Sequence, residues 1–149
     1  PIEDKEQLKN TWEVFEEYYE TGKLRAIGVS NFEKQHLDEL KKFAKVKPAV
    51  NQIQINLVEP NKELLAVLKE EGITPVAWKP MKAEAHQKEV LNEIGQKYKK
   101  TGAQVLLRYQ IERGIVVIPK SHNREHQRLN LELFDFELTA ADKKKIENL

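Results

Sequence analysis

Ile115-Val116-Val117-Ile118-Pro119-Lys120-Ser121 is the run from which the fold of this 149-residue chain is read. Four β-branched residues lead into a proline, a cation and a hydroxyl, and Asn123 then opens a helical pattern. A continuous β-branched run of this length reads as a strand buried in a parallel sheet. Its carboxyl end then presents Lys120 and Ser121 at a surface where an anion can sit. Three earlier stretches share the form: Leu24–Asn31, Ala49–Asn56 and Ile73–Trp78 are short apolar strands that end in polar residues and are followed by a helix. In the second of these, Asn51, Gln52, Gln54 and Asn56 alternate with apolar residues and make an unusually polar strand.

The helices lie between these strands. Leu8, Trp12, Phe15 and Tyr19 make one apolar face over Lys5–Thr21, and Gly22 stops it. Ser30 or Asn31 is expected to cap the next helix, outlined by Leu37, Leu40 and Phe43. Asn61 is expected to cap a helix through Leu64, Leu65 and Leu68 that ends at Gly72. Lys88–Tyr98 follows, and then a helix from Thr101 toward Gly114. Beyond the opening strand, Asn123–Leu131 is helical, Phe134-Asp135-Phe136 reads as an extended bridge, and Thr139 with Asp142 starts a final helix. The order is α-β-α-β-α-β-α-α-β-α-α. Strands alternating with helices build right-handed parallel βαβ units, and no flexible linker divides residues 1–149, which read as a single domain. A parallel sheet of four strands has two open edges.

Composition narrows the function classes. The 25 basic and 24 acidic side chains leave a net charge of +1, so there is no electrostatic case for nucleic acid or an anionic membrane as partner. No apolar run is long enough to span a bilayer, and Pro1–Lys5 lacks the build of a signal peptide. A soluble, cytoplasmic protein is the expectation. The chain has no cysteine, which removes disulfides and thiolate metal sites. His36, His86, His122 and His126 lie on helix or loop positions with no Asp/Glu spacing that suggests a metal, so they read as solvated surface residues and no metal site is expected. No Ser-His-Asp or paired-carboxylate arrangement stands out, and Gly28 belongs to no phosphate-binding glycine motif.

Several segments taken together resemble the aldo-keto reductase family. They are Gly22–Phe32 (GKLRAIGVSNF), Pro48–Gln52 (PAVNQ), Ala77–Pro80 (AWKP), Ala103–Tyr109 (AQVLLRY), Ile118–Ser121 (IPKS) and Phe134–Leu138 (FDFEL). Their order and spacing are similar to the family's C-terminal half, across nearly the whole chain. The resemblance implies an α/β fold that is half of a (β/α)₈ TIM-type barrel: strands five to eight as four parallel strands with surrounding helices. A full barrel takes about 250 residues. It also implies an oxidoreductase family that uses NADPH to reduce aldehydes and ketones.

Residue by residue, the resemblance implies that Ser30, Asn31 and Gln52 hydrogen-bond the nicotinamide carboxamide and that Trp78 stacks on the nicotinamide ring. Lys120 and Ser121 bind the adenosine 2′-phosphate, and Asn130 lies near the adenine. An amide needs paired donors and acceptors, a flat ring needs an aromatic face, and a phosphate needs a cation and a hydroxyl. Each residue also has a plain reading. Ser30 and Asn31 are helix-capping types, Trp78 is a packing residue, and Ile115–Ser121 is a core strand with a solvated exit.

The departures are equally specific. The family's catalytic tyrosine, lysine, aspartate and histidine belong to its N-terminal half, and no catalytic residue is assigned here. His126 stands where a phosphate-binding arginine is usual, flanked by Arg124 and Arg128. Lys79 follows Trp78 where a serine is common, and Met81–His86 replaces a glycine-containing loop. Three functions remain open. The chain is an inactive half-barrel (a fragment, a designed chain or a truncated natural relative), one part of an NADPH-dependent reductase completed by another chain, or a non-catalytic binding module. The open edges point to a homodimer or a complementary half-barrel as partner, since closure of eight strands covers both.

Overall fold

The computed structural model describes residues 3–149. The element order is α1 (Lys5–Glu20), β1 (Val29–Ser30), α2 (Lys34–Lys41), β2 (Val50–Gln54), α3 (Lys62–Glu71), β3 (Thr74–Trp78), α4 (Ala85–Tyr98), α5 (Gly102–Glu112), β4 (Val116–Val117), α6 (Arg124–Leu129) and α7 (Ala140–Glu147). This is the alternation the sequence predicts. The strands form one four-stranded sheet in the order β1-β2-β3-β4. β1 runs parallel to β2, with Val29 opposite Asn51 and Ser30 opposite Gln52. The outer strands are shorter than their apolar runs because they pair on one side only. Single backbone bonds extend them: Ala49 N–H donates to the Ile27 carbonyl and Ile118 N–H to the Ala77 carbonyl.

Contacts divide the chain into two compact units. The first runs up to Ile53 and includes Asn61–Val76; the second is Gln54–Pro60 with Ala77–Leu149. In the first unit, the Asp4 side chain caps α1 by accepting from Glu6 and Gln7 N–H. Of the four apolar positions on α1, Leu8 and Trp12 are buried, whereas Phe15 and Tyr19 stay more than one-third exposed. The buried face instead includes Glu16, which accepts the Lys45 and Val46 amides at 2.7 and 2.9 Å. Trp12 Nε1 donates to the Val46 carbonyl at 3.1 Å. α1 therefore holds the segment that leads into β2 by hydrogen bonds as well as by apolar burial.

The second unit has a continuous apolar core of Ala83, Leu91, Ile94, Val105, Leu106, Tyr109, Leu138 and Ile146. Thr101 caps α5 in a capping box with Gln104, and Thr139 caps α7 by accepting from Asp142 N–H. Tyr98 joins α4 to α7: its hydroxyl donates to Asp142 at 2.6 Å and accepts from Thr139 N–H at 3.0 Å. Phe134 and Asp135 form a bend, not the extended run expected of them. There Lys100 pairs with Asp135 at 2.7 Å and lies over the Phe136 ring. No helix among the described residues is long and apolar enough to cross a membrane.

Candidate functional site

Within the first unit, the structure brings Ser30, Asn31 and Gln52 together at the carboxyl ends of β1 and β2. The Ser30 hydroxyl donates to the Gln52 carbonyl at 3.0 Å, and Asn31 N–H donates to the same oxygen at 2.9 Å. Gln52 holds this turn with its backbone, so its side-chain amide is not needed there. Asn31 adopts a left-handed conformation (φ 55), which asparagine tolerates better than most residues. The turn rests on Asn51, which is fully buried. Asn51 Nδ2 donates to the Phe32 carbonyl at 2.7 Å, and Phe32 N–H donates back to Oδ1 at 3.3 Å.

Neither Ser30 nor Asn31 caps α2, contrary to expectation. The cap is Glu33, whose N–H donates to His36 Nδ1 at 3.0 Å. The left-handed turn at Asn31 and the burial of Phe32 delay the helix start. His36, which reads as a solvated surface residue in the sequence, closes this cap and lies against the Phe32 ring, with centroids 5.7 Å apart. Asn61 does occupy the cap position of α3, but in a left-handed conformation and without a side-chain capping bond.

Within the second unit, β3 ends at the half-buried Trp78 and β4 leads to Lys120 and Ser121. Lys79 follows Trp78 with φ 50, and its ammonium lies 5.4 Å from the centroid of the Trp78 ring. The turn is held from beneath. Asn56 Nδ2 donates to the Lys79 carbonyl at 3.1 Å, and its Oδ1 accepts from Val58 and Glu59 N–H. Gln110, buried on α5, donates to the carbonyls of Ile55 (3.0 Å) and Pro80 (3.4 Å). The polar character of the β2 strand makes Asn56 noticeable. Gln110 goes unnoticed, and its signal is an amide among Val105, Leu106, Leu107 and Tyr109 on an otherwise buried helix.

Ser121 is half-buried and its hydroxyl accepts from Asn123 N–H at 3.1 Å, while Gln127 Nε2 donates to its carbonyl at 2.8 Å. Asn123 caps α6, and Asn130 closes it. Lys120 and Arg124 enter no salt bridge among the described residues, whereas Arg128 pairs with both Glu125 and Glu132. The Arg128 guanidinium holds the Glu125 carboxyl below its usual range. Arg128 is thus engaged, and His126 is exposed, with its backbone N–H donating to Asn123 Oδ1 and its carbonyl accepting from Asn130 N–H. The cations left for an anion in this segment are Lys120 and Arg124. No group of three or more histidine or acidic residues among those described could hold a metal ion.

Taken by chemistry, a half-buried indole at the end of β3 and the cations Lys120 and Arg124, without a salt bridge among the described residues, fit an aromatic ring carried on phosphates. A turn of one serine and two side-chain amides fits a carboxamide. The class defined is a parallel strand–helix half of a TIM barrel, with its polar residues at the carboxyl ends of the strands. The family model described as the Aldo/keto reductase family matches residues 1–149, and the chain belongs to that family. It is 45% identical over 147 residues to glyoxal reductase of Bacillus subtilis, covering 97% of this chain and 53% of that protein. It is 40% identical over 149 residues to 9,11-endoperoxide prostaglandin H2 reductase of Trypanosoma cruzi, again 97% of this chain and 53% of the relative.

The fold matches that of an aldo/keto reductase from Brucella melitensis with a TM-score of 0.92 at 34% identity, over 99% of this chain and 57% of the other. It matches a silkworm aldo-keto reductase solved in complex with NADPH with a TM-score of 0.83 at 34% identity, over 93% and 46%. The chain spans about half the length of the relatives it matches.

Proposed function

We propose that this chain supplies the dinucleotide-holding half of an NADPH-dependent aldehyde and ketone reductase and carries out no reduction by itself. In this reading Trp78, in the second unit, is the platform for the nicotinamide ring, and the Ser30, Asn31 and Gln52 turn of the first unit is suited to a carboxamide. Lys120 and Ser121 take the 2′-phosphate with Arg124 beside them, and Asn130 lies near the adenine. Bound NADPH would supply the hydride. The proton for the carbonyl oxygen would come from the half of the barrel that carries the family's catalytic tyrosine, paired along the β1 and β4 edges. One observation carries the reading. β3 and β4 are tied by the Ile118–Ala77 backbone bond (3.2 Å), and these two strand ends offer a ring platform and a cation with no salt bridge among the described residues.

The 45% identity to a glyoxal reductase favours small aldehydes as substrates of the completed barrel. The test mixes this chain with the strand-one-to-four half of an aldo-keto reductase and follows NADPH oxidation with glyoxal. Turnover in the mixture, with none from either half alone, is the expected result. Equal turnover by this chain alone refutes the division of labour, and silence in a mixture that does assemble refutes the reductase role.

A further inference from the structure

Lys79 takes no part in holding the dinucleotide, yet its backbone is closely held. Its backbone is left-handed, and its carbonyl accepts from both Asn56 Nδ2 (3.1 Å) and Lys82 N–H (3.3 Å). The next carbonyl, that of the buried Pro80, is held by Gln110. Asn56 is buried, so the turn is anchored in the core of the second unit. From this turn the Lys79 ammonium lies 5.4 Å from the centroid of the Trp78 indole, and no carboxylate pairs with it among the described residues. An indole face with a cation on it is a favourable arrangement. It also leaves a net positive charge at the ring platform.

We infer that Lys79 is a specificity residue that discriminates between the redox states of the dinucleotide, favouring the reduced form over the oxidised one at Trp78. The inference rests on the reading of Trp78 as the nicotinamide platform. Reduced and oxidised dinucleotides carry the same phosphates, so attraction between Lys79 and the phosphates is common to both and cancels in their ratio. The rings differ: the oxidised nicotinamide is a cation and the reduced one is neutral. An ammonium beside the platform therefore repels only the oxidised ring. The expected discrimination is about threefold, the scale of two unit charges roughly 10 Å apart in a partly solvated setting. In a completed reductase this repulsion would hasten release of the spent dinucleotide and favour carbonyl reduction over alcohol oxidation.

The test is calorimetric titration of the chain with NADPH and with NADP⁺, for the native protein and for Lys79→Met, Lys79→Arg and Lys120→Met. Lys79→Met should lower the ratio of the NADP⁺ to the NADPH dissociation constant about threefold, and Lys79→Arg should keep the native ratio. Lys120→Met should weaken both dinucleotides in step. An unchanged ratio in Lys79→Met, with both dinucleotides bound, overturns the inference while leaving the cofactor reading intact. A ratio shifted as much by Lys120→Met overturns it too, because the charge effect would not be local to the ring. If the native chain binds neither dinucleotide, the cofactor reading fails and the inference fails with it.

Discussion

Asn51 shows how one buried amide sets the local geometry of the turn that follows β1. Both hydrogen-bonding groups of its side chain are matched to the Phe32 backbone, and Asn51 and Phe32 are both buried. Removing such a partner leaves backbone groups unsatisfied away from water, at about 1–3 kcal/mol for each. Asn51→Ala should therefore cost about 3 kcal/mol in urea unfolding, and Asn51→Asp, which keeps the acceptor and loses the donor, should also destabilise. A loss under about 0.5 kcal/mol for Asn51→Ala would show that the pair does not hold the turn. Asp142 makes a second residue-scale prediction. Lys97 first, then Tyr98, hydrogen-bond its carboxylate and hold its pKa below the usual range. A depressed folded-state pKa means stability that is present above the unfolded value, about 3.9, and lost as pH falls through the folded one. Urea midpoints measured from neutral pH down to about pH 2.5 should fall in the acid range, and Asp142→Asn should lower the neutral midpoint and flatten that fall. An identical acid slope in the variant would remove Asp142 from the account. Residue identity made part of this legible. Asn51 and Asn56 stand out as amides in a strand that must bury one face. Their partners at Phe32 and Lys79 are long-range backbone groups, which no local pattern reveals. The same limit hid Gln110 and misplaced the α2 cap. Ser30 and Asn31 are good capping types, but the burial of Phe32 moved the cap to Glu33.

Element order and type were the most legible level, because each helix carries an apolar face and each strand a β-branched run. The lengths were less so. The Leu24–Asn31 and Ile115–Ile118 runs keep only two residues each in regular strand, since edge strands lack a second partner and apolar patterning does not count partners. Helix junctions are set by close backbone approach. In α4, the Lys100 amide returns to the Gly95 carbonyl at 3.0 Å, and a Cβ at Gly95 would sit 2.3 Å from the Lys100 carbonyl oxygen. Propensity alone favours Gly95→Ala by roughly 1 kcal/mol. The clash is with backbone, which cannot swing aside, so overpacking of about 1–3 kcal/mol should win. Thermal unfolding should show a lower Tm for Gly95→Ala, and a raised Tm would mean that the α4–α5 junction is looser than these distances require.

At the scale of the whole molecule, the chain has the α/β alternation and parallel sheet of half a TIM barrel, and it belongs to the aldo/keto reductase family. The proposed dinucleotide role rests on groups of the second unit, the Trp78 ring and Lys120 with Arg124. The central claim is that these groups bind NADPH without the rest of a barrel. A phosphate dianion held by Lys120, Ser121 and Arg124 should make the chain prefer NADPH to NADH, which differs from it only in the 2′-phosphate. The most direct measurement is a fluorescence titration of the 149-residue chain with the two reduced dinucleotides, repeated with Lys120→Met. Saturable NADPH binding is the predicted result, at least about tenfold tighter than NADH, the scale of one charge-assisted phosphate contact, with the preference lost in Lys120→Met. Equal affinity for NADPH and NADH, or no binding of either, would contradict it.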